Sequence, residues 1–261
     1  MDADLQNGLW DAFHIHFLGP GLNSKILDDC MPELVSLLHV IWHLYFKQSV
    51  DTIPDTWSAT CSTLRKYFFQ CSWNEDYDFI EFVATNCPSS ERASFIRFCN
   101  GILERELSSY RFVAGRISDI SSEEERESIE AAMQLSGTLQ PVAHHLKQAL
   151  DLLTDRKNPD FRNSIKESIS AVEALCRLLT KIPKATLGDA LKELDKTVKL
   201  HPAFKESLLK LYGYTSDEQG IRHSLLDESK ITFDDAKFML VACSAFTNYI
   251  KGIAARGGVE I

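Results

Sequence analysis

Several common signatures are missing from this chain of 261 residues. No CxxC pair occurs among its seven cysteines, at positions 30, 61, 71, 87, 99, 176 and 243. An odd, scattered set of this kind reads as reduced thiols packed as small hydrophobes, not as a disulfide framework or a zinc ribbon. Glycine-rich phosphate loops of the Walker or dinucleotide kind are absent as well. Gly19-Pro20-Gly21 and Gly257-Gly258 lack the strand and helix that such loops join. No apolar run approaches the roughly 20 residues that span a bilayer. The opening Met1-Asp2-Ala3-Asp4 has neither the basic region nor the apolar run of a secretory signal. Together these absences set the expectation of a cytoplasmic protein without membrane contact. Positive charge is also short, 28 Lys and Arg against 37 Asp and Glu, a net of −9. That balance argues against the broad basic face of a duplex-coating protein, but leaves room for a narrow cationic pocket around one phosphate.

What is present is helix. With 44% hydrophobic and 25% charged residues, the composition is that of an ordinary globular protein. Leu5, Leu9, Ala12, Phe13 and Phe17 recur near helical spacing over Asp2 to Leu18, and Gly19-Pro20-Gly21 ends that segment. Pro32 and Pro54 suit the starts of a second helix, Glu33–Phe46, and a third. The third carries a stripe of Trp57, Cys61, Leu64 and Phe68. Tyr77–Ala84 and Glu91–Leu107 give two more, the latter with Phe95, Phe98 and Ile102 as its apolar positions. Aromatic-rich Phe68–Phe82 reads as core plus outer face.

Tyr110–Ile120 breaks the pattern and predicts a small hairpin turning at Ala114-Gly115. Ser121 and Glu124 then fit a capping box ahead of an acidic helix over Ser122–Leu135. Ser136-Gly137-Thr138 interrupts, which puts the domain boundary near residues 135–140. The second half reads as helices over Pro141–Leu153, Pro159–Thr180, Leu187–Thr197, Pro202–Leu211, Asp217–Asp227 and Asp234–Ile253. Asn158-Pro159 and His201-Pro202 look like caps followed by proline at the first helical position. The long helix from Pro159 has two faces. Ile165, Ile169, Val172, Cys176 and Leu179 form a packing stripe, while Asn163, Glu167, Ser170 and Ala174 run up nearly the opposite side. The last helix is apolar almost all round and is expected at the centre of its bundle.

The densest polar cluster is Leu211–Ser229. Ser216 and Gln219 fit a capping box, Gly220 allows close approach, and Arg222 and His223 follow at once. A permanent cation next to a group that titrates near neutrality suits phosphate chemistry. Metal-free RNA cleavage needs a group to take the 2′-hydroxyl proton and a cation to stabilise the phosphorane. His223 suits the first task and Arg222 the second, with Asp227 four residues on to orient the imidazole. The competing reading pairs Arg222 with Glu218 as a surface ion pair. Three histidine groupings, His14/His16, His39/His43 and His144/His145, raise a metal site. Val40 follows His39 where a zinc-peptidase motif needs Glu, and no third ligand is evident; no metal and no cofactor are expected.

The segments YRFVAGRISDISSEEE, NPDFRNSIKESISAVEALCRLL, TLGDALKELD, HPAFKESLLKLYGYTSDEQGIRHSLLDE and FDDAKFMLVACSAFTNYI resemble a known family. MDADLQNGLWDAF is similar to the family's opening. It is the AbiJ-type N-terminal domain family, fourth kind, of prokaryotic conflict proteins, with a HEPN-like helical bundle in the C-terminal half. The resemblance implies abortive-infection biology and, by wider HEPN analogy, a metal-independent endoribonuclease working as a dimer. HEPN ribonucleases carry Arg, four to six residues, then His; here Arg222 abuts His223. The nearest equivalent cluster is Arg222 and His223 with Asn163 and Glu167, if their helices pack together.

The expectation is therefore a mainly α protein. An N-terminal helical domain over 1–138 carries the hairpin, a HEPN-like bundle spans 139–255, and 256–261 is a flexible tail. The implied partners are a second copy of the chain, RNA, and a phage or host protein. A non-catalytic HEPN-like module that dimerises or senses a protein or nucleic acid is the alternative.

Overall fold

The computed structural model describes residues 1–19, 31–197, 200–216 and 231–256. The described residues are mainly α-helical with one two-stranded hairpin, as the sequence predicts. They form two compact units, Met1–Ser121 and Ser122–Ile261.

In the first unit α1 (Ala3–Phe13) is capped by Asp2, whose carboxylate accepts from the Leu5 amide, and it runs on as a π-helical turn over His14–Leu18. The second helix, α2 (Pro32–Val40), also ends in a π-helical turn, Ile41–Tyr45. Then come α3 (Trp57–Phe68), α4 (Trp73–Asn86) and α5 (Ser89–Arg105). Their shared core is aromatic, with Phe13, Phe68, Phe79 and Phe95 fully buried and Phe13 edge-on to Phe79 at 5.1 Å. Close packing of α1 on α5 depends on Gly8, where a Cβ would sit 2.6 Å from Ile102 Cγ2.

Local chemistry moves several predicted boundaries. Helix α3 starts at Trp57, not Pro54, because Thr56 supplies the cap and the Pro54 carbonyl accepts from the Thr60 hydroxyl. Ser72 and Glu75 form a capping box that begins α4 four residues before Tyr77. On α5 the apolar stripe is Phe95, Cys99 and Ile102; Phe98 is 42% exposed. Between these helices lies a buried carboxylate, Asp76. Gln6 donates to it at 3.1 Å and the Cys71 thiol at 3.2 Å. Burial raises its carboxyl above the ordinary range, against the lowering effect of those two donors.

The hairpin pairs β1 (Arg111–Val113) with β2 (Arg116–Ser118), with Phe112 opposite Ile117. Ala114 and Gly115 have φ of 47° and 88°, the positive pair that a primed two-residue turn requires. This turn leaves the backbone groups of Phe112 and Ile117 facing outward. Helices satisfy them in place of strands. Asn100 of α5 accepts from the Phe112 amide at 2.7 Å and donates to its carbonyl at 3.2 Å. Glu81 of α4 accepts from the Ile117 amide at 2.6 Å and from Arg116 at 3.1 Å. A lone hairpin is marginal in water; this one is clasped on both edges.

The second unit comprises α6 (Glu123–Met133), α7 (Gln140–Thr154), α8 (Phe161–Thr180), α9 (Leu187–Thr197), α10 (Pro202–Ser216) and α11 (Phe233–Arg256). The sequence places α6 before the boundary, whereas the compact units place it after. Its Ile129 and Ala132 are buried, it packs on α11 and α7, and Asn248 of α11 donates to the Ser128 carbonyl at 2.8 Å. Its cap is Ser122, one residue later than predicted. The centre of the unit is α8, which packs on α7, α11, α9 and α10. Its predicted stripe, Ile165, Ile169, Val172, Cys176 and Leu179, is buried throughout. Asp160 caps it by accepting from the Asn163 amide, so Pro159 precedes the cap. Thr186 with Asp189 and Thr232 with Asp235 box the starts of α9 and α11. Helix α11 is buried on one side only: Phe238 is 59% and Tyr249 42% exposed. It is also long and apolar enough by length and composition to cross a bilayer, contrary to the expectation that no segment is. Half of that apolar window is buried within the protein.

Three outcomes test these contacts in the full chain. Asn100→Ala leaves two backbone groups of Phe112 without their helix partner and is expected to cost about 1–3 kcal/mol in denaturant unfolding; an unchanged midpoint contradicts the clasp. Gly8→Ala is expected to cost about 1–3 kcal/mol by overpacking, and an unchanged or raised midpoint rules out the close approach. Because the folded pKa of Asp76 is raised, its contribution to stability is full below the unfolded carboxyl pKa and is lost as pH rises through the folded one. The stability–pH slope over that interval should flatten in Asp76→Asn.

Candidate functional site

Helices α7 and α8 run antiparallel, locked where the small Ser164 side chain donates to the Ala149 carbonyl at 2.7 Å. The Asp160 amide donates to the Leu152 carbonyl at 3.0 Å near the turn. This register puts His145 of α7 beside Glu167 of α8, with Nδ1 and Oε2 2.7 Å apart. The side chains are 32% and 21% exposed, so the pair sits at the edge of the seam. A carboxylate on Nδ1 holds the proton there and leaves Nε2 as the free acceptor. Nε2 makes no hydrogen bond among the described residues. The ring of His144 lies 6.3 Å from that of His145.

Asn163 shares the polar face of α8 but has a different role. Its backbone and side-chain N–H groups donate to the two carboxylate oxygens of Asp160, at 2.9 and 2.7 Å, which ties it to the helix start. Further along, Glu173 accepts from the Tyr212 hydroxyl of α10 at 2.6 Å and pairs with Arg177 at 3.4 Å. Helix α8 thus engages one carboxylate with α7 and another with α10. Arg222 and His223, with Glu218, Asp227 and the predicted helix Asp217–Asp227, lie outside the described residues.

In the sequence, His145 stands out only as half of a histidine doublet for metal. Among the described residues, no group of three His, Cys, Asp or Glu is placed to hold an ion. A signal for its true partner was available: positions 145 and 167 are equidistant from Arg156, at the reversal between two predicted helices. The two thiols of the second unit, Cys176 and Cys243, are buried in the bundle, and burial pushes each up to about 12, so neither serves as a nucleophile.

The family model for AbiJ N-terminal domain 4 matches residues 1–135, just over half of the chain. The chain belongs to the AbiJ N-terminal domain 4 family. No curated protein and no solved structure matches it. The AbiJ match spans the first unit and α6 and stops before α7, so His145 and Glu167 lie beyond it. AbiJ membership gives the chain an abortive-infection, defence context.

Tyr212→Phe removes a hydroxyl donor to a half-buried carboxylate and is expected to cost about 1–3 kcal/mol. Faster amide exchange in α10 would register the loss, and unchanged exchange would show that the Glu173 contact does not hold α10.

Proposed function

We propose that this is a prokaryotic antiviral-defence protein whose second unit is a HEPN-like bundle acting as a metal-independent endoribonuclease. In this reading Arg222 stabilises charge on the phosphorane and His223 moves a proton. Asn163 ties down the start of the helix that presents Glu167, and no cofactor takes part. The protein works as a cytoplasmic homodimer on RNA, and the first unit senses a phage or host component.

The hydrogen-bonded His145–Glu167 pair carries the reading. A partly exposed imidazole held by a carboxylate is equipment for proton transfer without a metal. Charge distribution agrees with the assignment of RNA to the second unit. Residues 1–121 contain sixteen acidic and nine basic side chains, whereas residues 122–261 contain twenty-one and nineteen. An anionic substrate meets less repulsion there.

A second reading, a non-catalytic module that dimerises or binds a protein or nucleic acid, has its own observation. Phe204, Phe238 and Tyr249 are exposed on α10 and α11, and Phe204 meets Tyr249 edge-on at 5.3 Å. Direct adjacency of Arg222 and His223 also favours it.

Incubating the purified chain with RNA in EDTA separates the two. The ribonuclease reading expects cleavage to 2′,3′-cyclic phosphate ends, reduced at least about 100-fold by Arg222→Ala with His223→Ala. Tight RNA binding without turnover selects the second reading. Cleavage unaffected by the double substitution removes Arg222 and His223 from the chemistry.

A further inference from the structure

We infer that His145 is the proton acceptor for the RNA 2′-hydroxyl in the second unit, with Glu167 as its positioning residue. The inference rests on the ribonuclease reading above and extends it to two helices outside the Arg222–His223 segment.

The plainer role for the pair is a strut between α7 and α8. Other contacts already do that work. Ser164 bonds to Ala149 across the seam, the Asp160 amide bonds to the Leu152 carbonyl, and apolar packing from Val142, Leu146, Ile165 and Ile169 fills the interior. The His145–Glu167 bond lies at the part-buried margin of the seam, beyond the contacts that already set its register. Its geometry suits chemistry better. Glu167 occupies Nδ1, the ring is about one-third exposed, and Nε2 is unengaged by the described residues. A general base needs an oriented ring and a free lone pair within reach of its proton.

The neighbouring positions fit an anionic backbone. Asn163, Lys166, Glu167 and Ser170 share one face by their helical spacing. Lys166 is exposed and supplies a cation beside the pair. A ribose–phosphate seated on this face brings its 2′-hydroxyl to Nε2 and its phosphate toward Lys166. Nε2 then takes the hydroxyl proton as the O2′–P bond forms and the P–O5′ bond breaks. The departing 5′-oxygen takes the proton that the ribonuclease reading gives His223 to move, which solvent replaces, and the imidazolium of His145 returns its own to solvent. The products are a 2′,3′-cyclic phosphate and a 5′-hydroxyl, with no redox partner or metal consumed.

The experiment follows cleavage of a labelled RNA in EDTA by the full chain and by His145→Ala, with and without added imidazole. The expected result is a loss of about 10²–10⁴-fold, partly restored by imidazole, with no imidazole effect on the parent chain. Glu167→Gln should lower kcat with KM unchanged, and adding it to His145→Ala should cost nothing further, because Glu167 acts through His145. If thermal melting shows His145→Ala misfolded, His145→Gln takes its place, read by its loss of rate and by the same non-additivity. A His145 variant that cleaves at the parental rate overturns the inference and leaves the ribonuclease reading standing. A folded His145→Ala that loses activity without imidazole rescue also overturns it. A parent chain that does not cleave RNA at all removes both.

Discussion

Everything in the second unit depends on α8 serving two faces at once. One face is an uninterrupted apolar stripe from Ile165 to Leu179, buried against its neighbours. Opposite it Glu167, and on its flank Glu173, are half-buried carboxylates, each engaged by a different helix. The arrangement follows from period alone. Residues four and three apart share a side, so burial of the apolar stripe sets the height and azimuth of Glu167 opposite it and of Glu173 on its flank. Ser164 and Ser168, buried and hydrogen-bonded to backbone carbonyls, keep α7 close enough for a 2.7 Å contact at the rim. A side chain placed by core packing is held more firmly than one on a loop, which is what a proton-transfer pair needs.

The first unit solves a different problem. Two three-residue strands cannot support themselves, and the sequence shows their turn without showing what supports them. Asn100 and Glu81 are polar residues on otherwise unremarkable helices, and each satisfies outward-facing backbone of the hairpin. The same segment belongs to the region that defines the AbiJ N-terminal domain 4 family. A hairpin gripped by α4 and α5 is therefore part of the unit's architecture and not an appendage.

What was legible in the sequence was what periodicity encodes. The α8 stripe, the hairpin turn and the bounds of α9 all follow from spacing and turn chemistry. Starts of helices were less legible, because several residues compete for one cap. Asp160 outcompetes Asn158, Thr56 displaces Pro54, and Ser72 with Glu75 extends α4 backwards. Phe98 and Cys99 show the same limit in packing: both are apolar and adjacent, and only the tertiary fit selects the smaller one for the core. The His145–Glu167 contact joins positions far apart in sequence, so no local pattern announces it. It emerges only when two helices are folded against each other about their turn.

The most direct measurement of the central claim is the tautomer of His145. In the neutral ring, nitrogen-resolved NMR should find the proton on Nδ1, bound toward Glu167, and a bare lone pair on Nε2, with the Nδ1 signal changed by Glu167→Gln. A proton on Nε2, or a ring indifferent to Glu167, would contradict the account of α8 as the element that presents a proton acceptor.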